Sequence, residues 1–125
     1  MLLGSLRFRA HLHINLLKVV NTALMTSPAR TGAQVLFDVL ADLGVEYVFG
    51  HTGGAVIPLH VEWNKRMRRG EKSPRFVLFR QEGGAGHAAE GYARTSGRTG
   101  VALATSGPGA TNLVTPIADA YKDSI

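Results

Sequence analysis

The order of segments along the chain predicts an α/β fold, a parallel sheet flanked by helices. Three observations carry this reading. Short apolar runs at residues 45–49, 76–79 and 101–105 alternate with segments of helical periodicity. Each run ends in glycine or small polar residues that lead into the next helix. The run Val101-Ala-Leu-Ala-Thr105 is apolar without alternation, as expected of a parallel strand covered on both faces. Crossovers in such a sheet are right-handed.

Thr31-Gly-Ala-Gln34 has the spacing of a capping box, and Val35, Leu36, Val39, Leu40 and Leu43 then mark one apolar helical face. Gly44 is the stop signal. Val45–Phe49 reads as the first strand, closed by Gly50. After the Gly53-Gly54 turn a helix is expected from about Val56 to Met67, with Pro58 tolerated only in its first turn. Phe76–Phe79 is the second strand, Ala85–Arg94 a helix of small residues, Val101–Thr105 the third strand and Thr111–Tyr121 the last helix. No strand follows that helix, so the sheet reads as an incomplete domain.

At 125 residues the chain has room for one domain with a modest core. No apolar run is long enough to span a bilayer, and no membrane role is expected. The absence of cysteine rules out disulfides and thiolate metal sites and suits a reducing compartment. The net charge of +5 suggests nucleic acid until its distribution is read. Arg7, Arg9, Lys18 and Arg30 carry +4 of it in a leader without any acid, since Asp38 is the first; the remainder is +1. Lys65, Arg66, Arg68, Arg69, Lys72 and Arg75 have the composition of a solvated loop and lack interleaved aromatics, so no nucleic-acid partner is expected.

The organisation is therefore a leader, residues 1–30, and a domain from residue 31 to 125. Leu12, Leu16, Val19, Val20, Ala23 and Leu24 in the leader fall at helical spacing. An organelle transit peptide, an unstructured tail and a mis-assigned start all fit it; the latter two are preferred, with a cytoplasmic location.

Glu82 is the candidate functional residue. It follows the apolar run Phe76–Phe79 and precedes two glycines and a small-residue helix. As a partly desolvated carboxylate at a strand-to-helix junction it should have a raised pKa and could share a proton with a nitrogen base. The competing reading is a first-turn acid that favours the helix dipole. Thr105-Ser-Gly-Pro-Gly-Ala-Thr-Asn112 has the strand–glycine–helix form of an anion site. As a dinucleotide fingerprint it fails at Asn112, where a third glycine belongs.

Four ordered segments from about Thr31 onward resemble the N-terminal, pyrimidine-binding domain of thiamine diphosphate-dependent enzymes, most closely the acetolactate synthase large subunit. They are Gly50-His-Thr-Gly-Gly-Ala-Val-Ile-Pro58, Glu82-Gly-Gly-Ala-Gly-His-Ala-Ala-Glu-Gly-Tyr-Ala-Arg94, Gly97–Ser106 and Gly107-Pro-Gly-Ala-Thr-Asn112 running on to Asp119-Ala120. The resemblance implies a transferase that decarboxylates pyruvate and joins the two-carbon unit to a second 2-oxo acid, in branched-chain amino-acid synthesis. Another thiamine diphosphate-dependent decarboxylase or acetyltransferase, or a non-catalytic fragment, stays open. Glu82 would contact the cofactor's N1′ atom and be the catalytic residue. Gly53, Gly54, Ala55, Thr105, Pro108 and Asn112 would form the cofactor pocket.

No metal ligand is assigned in this chain, because Mg2+ and the diphosphate are expected on a further domain; FAD often accompanies the family. A homodimer or tetramer, and a regulatory small subunit, are the implied partners. His51-Thr52 stands where related synthases commonly carry Tyr-Pro. That departure leaves the glycines intact but bears on exact substrate or cofactor contacts; His51 is open to a functional role, and a surface histidine in a turn is the preferred reading.

Overall fold

The computed structural model of the chain describes residues 29–125. The leader's helical periodicity lies outside them. Helix α1 (Gly32–Asp42) starts on the predicted capping box: the Thr31 hydroxyl accepts from the Gln34 amide at 3.3 Å, and the Gln34 side chain accepts from the Thr31 amide at 2.9 Å. Gly44, at φ +68°, turns the chain out of the helix, the left-handed conformation glycine adopts freely. The buried face of α1 differs from the predicted one. Phe37 is buried and Leu40 packs beside it, whereas Val35, Leu36, Val39 and Leu43 are exposed. The Phe37 ring sets this orientation, meeting Trp63 edge-on at 4.9 Å and lying under the Arg66 guanidinium.

Strands β1 (Tyr47–Gly50), β2 (Arg75–Leu78) and β3 (Ala102–Leu103) form a parallel sheet in the order β2-β1-β3. Phe49 pairs with Val77 on one side and Ala102 on the other. The predicted fold class is thus what the chain adopts, although β3 pairs over two residues where five were expected. Phe37, Val48 and Trp63 are the core, with Leu59, Phe76, Val101 and Leu103 packed around them. Trp63 satisfies its indole N–H by donating to the Pro74 carbonyl at 2.7 Å.

A short 3-10 turn (Gly54–Val56) leads into helix α2 (Ile57–Arg69), where Pro58 sits in the first turn and Gly70 closes the end at φ +67°. The predicted basic loop is therefore in part the last turns of a helix. Arg66 is buried there, donating to Glu62 at 3.2 Å, to Asp38 at 2.6 Å and to the Gln34 carbonyl at 3.1 Å. Arg69 joins Glu62 to Glu71. Glu62 and Arg66 are four apart on one helical face, and burying one demands the other.

Helix α3 (Glu82–Ser96) begins three residues before the predicted start, because the Gln81 side chain accepts from the Gly84 amide at 2.9 Å and caps it there. The predicted last helix is two, α4 (Pro108–Thr111) and α5 (Val114–Lys122). Proline at 116 has no N–H to return to the Asn112 carbonyl, which breaks the hydrogen-bond ladder at that point. Helices α3 and α5 pack closely across Gly86, where a Cβ would lie 2.4 Å from the Pro116 ring. No described helix is long and apolar enough to cross a membrane.

Candidate functional site

The chain leaves β1 toward β2 on one side and later returns to place β3 on the other side of β1. The β1/β3 boundary is therefore a topological switch point, and the crevice outside the C-terminal strand ends there is where open α/β sheets bind ligands. Three segments meet at these ends: His51–Ala55 after β1, Glu82 after β2, and Thr105–Asn112 after β3.

Thr105 ties the first segment to the third. Its Oγ1 accepts from the Ala55 amide at 3.3 Å. A Cβ on Gly53 would lie 2.4 Å from Thr105 Cβ, and one on Gly109 would lie 2.8 Å from the Thr105 methyl. The close approach that Gly53 permits is thus to Thr105, whereas Gly54 faces open space. Gly109 also lies against Glu82, where a Cβ would stand 3.1 Å from Oε1. Asn112 completes the set, its amide donating to Glu82 Oε2 at 2.9 Å. Pro108 opens α4, and its carbonyl accepts from the Thr111 hydroxyl and the Asn112 amide. Its contribution is to the turn.

Glu82 is the first residue of α3 and only 8% exposed. Its pKa is lowered, not raised as the sequence suggested. The Asn112 hydrogen bond and the residue's own backbone amide favour the carboxylate over the opposing effect of burial, and the nearby His51 adds in the same direction. Glu82 is therefore an anion near neutral pH and an acceptor only.

His51 is half-buried, in contrast to the surface position expected of it. Its Nδ1 lies 2.7 Å from the Phe79 carbonyl oxygen. A carbonyl can only accept, so Nδ1 carries the hydrogen of this contact. His87 is exposed on α3, close to Glu90 and Asp119 and away from the strand ends. Glu90 and Arg94, four apart on α3, pair at 2.7 Å. Gly109 and His51 were not among the site residues read from the sequence. Glycine at the second position of a four-residue helix was the available signal for the first; the departure from the family's Tyr-Pro is all that marks the second.

Residues 30–125 match the family model described as thiamine pyrophosphate enzyme, N-terminal TPP binding domain. The chain belongs to that family. Over 95 residues, 76% of its length, it is 56% identical to the acetolactate synthase of Mycobacterium bovis and 50% identical to the mitochondrial acetolactate synthase catalytic subunit of Saccharomyces cerevisiae. The acetolactate synthase large subunit of Lactococcus lactis is 48% identical over the same length. These matches cover 15%, 13% and 16% of the three relatives, so the chain spans about one seventh of the proteins it resembles.

Proposed function

We propose that this chain supplies the aminopyrimidine-binding half of a thiamine diphosphate site in an acetolactate synthase-like carboligase, with Glu82 as the ring-nitrogen contact. The observation that carries the reading is the Glu82–Asn112 pair: an almost buried carboxylate after β2, held at 2.9 Å from the segment after β3, at the switch point of a parallel sheet. The neighbouring residues fit a flat heterocycle. Gly53, Gly54, Ala55 and Gly109 present no bulky side chain, and a Cβ at 109 would crowd Glu82. Thr105 holds the Ala55 backbone in place, and Pro108 shapes the turn that brings Asn112 to the carboxylate.

Thiamine diphosphate, when bound, supplies the electron sink for breaking the bond beside a carbonyl. The protein's own contribution begins with protonation. An ionised carboxylate and a neutral ring nitrogen are both acceptors, so one proton must be taken up between them for Glu82 to hold such a ring. The lowered pKa makes this uptake unfavourable until the ring is in place, which couples proton transfer at Glu82 to cofactor binding. Asn112 sets the carboxylate's orientation and its affinity for that proton.

Mg2+ and FAD, pyruvate as first substrate, a homodimeric or tetrameric assembly and a regulatory small subunit extend the same proposal. Their support is the resemblance to acetolactate synthases, as is the division into a leader, residues 1–30, and a cofactor-binding domain. The test is acetolactate formation from pyruvate by the full-length protein with thiamine diphosphate and Mg2+. Glu82→Gln should lower turnover by about 10²-fold or more, the usual worth of a positioned acid–base group. Release of acetaldehyde without acetolactate would identify a decarboxylase instead, and full activity in Glu82→Gln would remove Glu82 from the chemistry.

A further inference from the structure

A second cluster of ligating groups lies on the outer side of α3, separate from Glu82. His87 and Glu90 stand one turn apart on α3, and Asp119 reaches them from α5. His87 Nδ1 is 3.4 Å from Glu90 Oε2 and 3.8 Å from Asp119 Oδ2, and all three ligand atoms lie within 4.8 Å of one another. A tetrahedral zinc ion with bonds near 2.0 Å separates its ligands by about 3.3 Å. Two of the three separations are therefore close to those of a metal site before any metal binds. Closing the third requires only Asp119 to move, and its side chain is 54% exposed and free to turn.

The charges around the cluster favour a modest rather than a tight site. Glu90 is 9% exposed, and its Oε1 accepts from Arg94 at 2.7 Å, which orients Oε2 toward His87. Arg94 in turn pairs with Asp123. The guanidinium therefore fixes the Glu90 carboxylate while reducing its negative charge. Without a cation, Glu90 and Asp119 bring two carboxylates to one imidazole, an arrangement whose charge a divalent ion would balance. One nitrogen and two oxygens select zinc, cobalt or nickel over magnesium or calcium, which prefer oxygen alone.

We propose that His87, Glu90 and Asp119 form a site for one borderline divalent cation, of the zinc class, that bridges α3 and α5. The bridge clamps the two helices already in contact across Gly86 and Pro116. Helix α3 begins at Glu82 and α5 begins two residues after Asn112, so the clamp steadies the elements on either side of the Glu82–Asn112 bond. Water fills the remaining coordination positions, and the role is structural.

Titration of Zn2+ into the metal-stripped full chain tests this directly. Saturable binding of one equivalent is expected, uncompeted by excess Mg2+. His87→Gln and Asp119→Asn change exposed side chains, and each should weaken binding by at least the roughly tenfold that even outer-shell changes cost a metal site. Far-UV circular dichroism checks that both variants stay folded. Wild-type zinc affinity in both folded variants would place the ion elsewhere, for instance on His11 and His13, and overturn the proposal. No saturable uptake would overturn it equally. The result is independent of Glu82, since Glu82→Gln should leave zinc binding unchanged.

Discussion

Substituting Gly53 and Gly109 should destabilise the chain in two distinguishable ways, both through Thr105. Carbon atoms in contact settle about 3.5–4.0 Å apart. A Cβ on Gly109 would lie 2.8 Å from the Thr105 methyl, and a Cβ on Gly53 would lie 2.4 Å from Thr105 Cβ and 2.6 Å from both Cγ2 and Oγ1. The methyl does not turn aside freely. Threonine is stiff at χ1, and rotation would take Oγ1 away from the Ala55 amide. Overpacking of this size costs about 1–3 kcal/mol. At Gly109, inside α4, exchanging glycine for alanine returns up to about 1 kcal/mol of helix propensity.

The expected net cost is therefore about 1 kcal/mol for Gly109→Ala, against about 3 kcal/mol for Gly53→Ala, where no such return applies. Thr105→Ser removes only the methyl. In that background Gly109→Ala should lose most of its cost and keep only the 3.1 Å approach to Glu82 Oε1, while Gly53→Ala keeps nearly all its cost, because Cβ and Oγ remain in the way. Urea unfolding of the three single and two double variants reads the two cycles. At a slope of about 1–3 kcal/mol per molar, Gly53→Ala moves the midpoint by about 1 M or more. Equal cost of Gly109→Ala in both backgrounds, within the roughly 0.5 kcal/mol expected of independent sites, would refute the packing described. So would rescue of Gly53→Ala by Thr105→Ser.

Arg66→Met takes the guanidinium away from the buried Glu62 carboxylate and should cost about 3 kcal/mol, the lower figure for a broken buried pair because Glu62 retains Arg69; a urea midpoint within error of wild type would contradict the buried network. Gly86→Ala drives a methyl into the Pro116 ring, so unfolding should show a loss of about 1–3 kcal/mol. Glu46, Glu82 and Glu90 all have carboxyl pKa values lowered by folding, through Arg98, Asn112 and Arg94 as their respective leading partners. Below the ordinary value of 4.5 the unfolded chain binds more protons than the folded one. Their stabilising contribution is thus complete above 4.5 and disappears as pH falls through the lowered values; stability that rose on acidification through this window would reverse the sign. Asn112→Ala removes the largest cause of the Glu82 shift, so the Glu82 carboxyl should titrate higher by NMR, and an unmoved titration would separate the two residues.

Much of the fold is legible because the chain's local signals agree. The capping box at Thr31 and Gln34, the glycine stop at 44, and the unalternating strand at 101–105 each state one element without help from tertiary contacts. Where packing decides, the sequence is less direct. The buried face of α1 follows Phe37 onto Trp63 and not the longer row of aliphatic residues. The basic cluster at 65–75 reads as a loop until Glu62 and Asp38 are seen to neutralise Arg66. The break between α4 and α5 was readable from Pro116, whose missing amide hydrogen ends the ladder at Asn112.

The site divides in the same way. Glu82 and Asn112 stand out by their positions beside apolar runs and glycines, yet their mutual hydrogen bond, thirty residues apart in sequence, depends on strand order. That bond is why the carboxyl pKa falls where local burial alone suggested a rise. His51 stands out only as a departure from the family's Tyr-Pro, and its contact is not legible because it depends on a carbonyl twenty-eight residues away at the end of the adjacent strand.

The central claim is that Glu82 and the cofactor's ring nitrogen take up one proton between them as the ring binds. Calorimetric titration of thiamine diphosphate into the full-length protein, in buffers of differing ionisation enthalpy, counts protons exchanged on binding. Near pH 8, Glu82 accounts for uptake of one proton, and Glu82→Gln should show one fewer than wild type. The same proton count in both proteins would contradict the account.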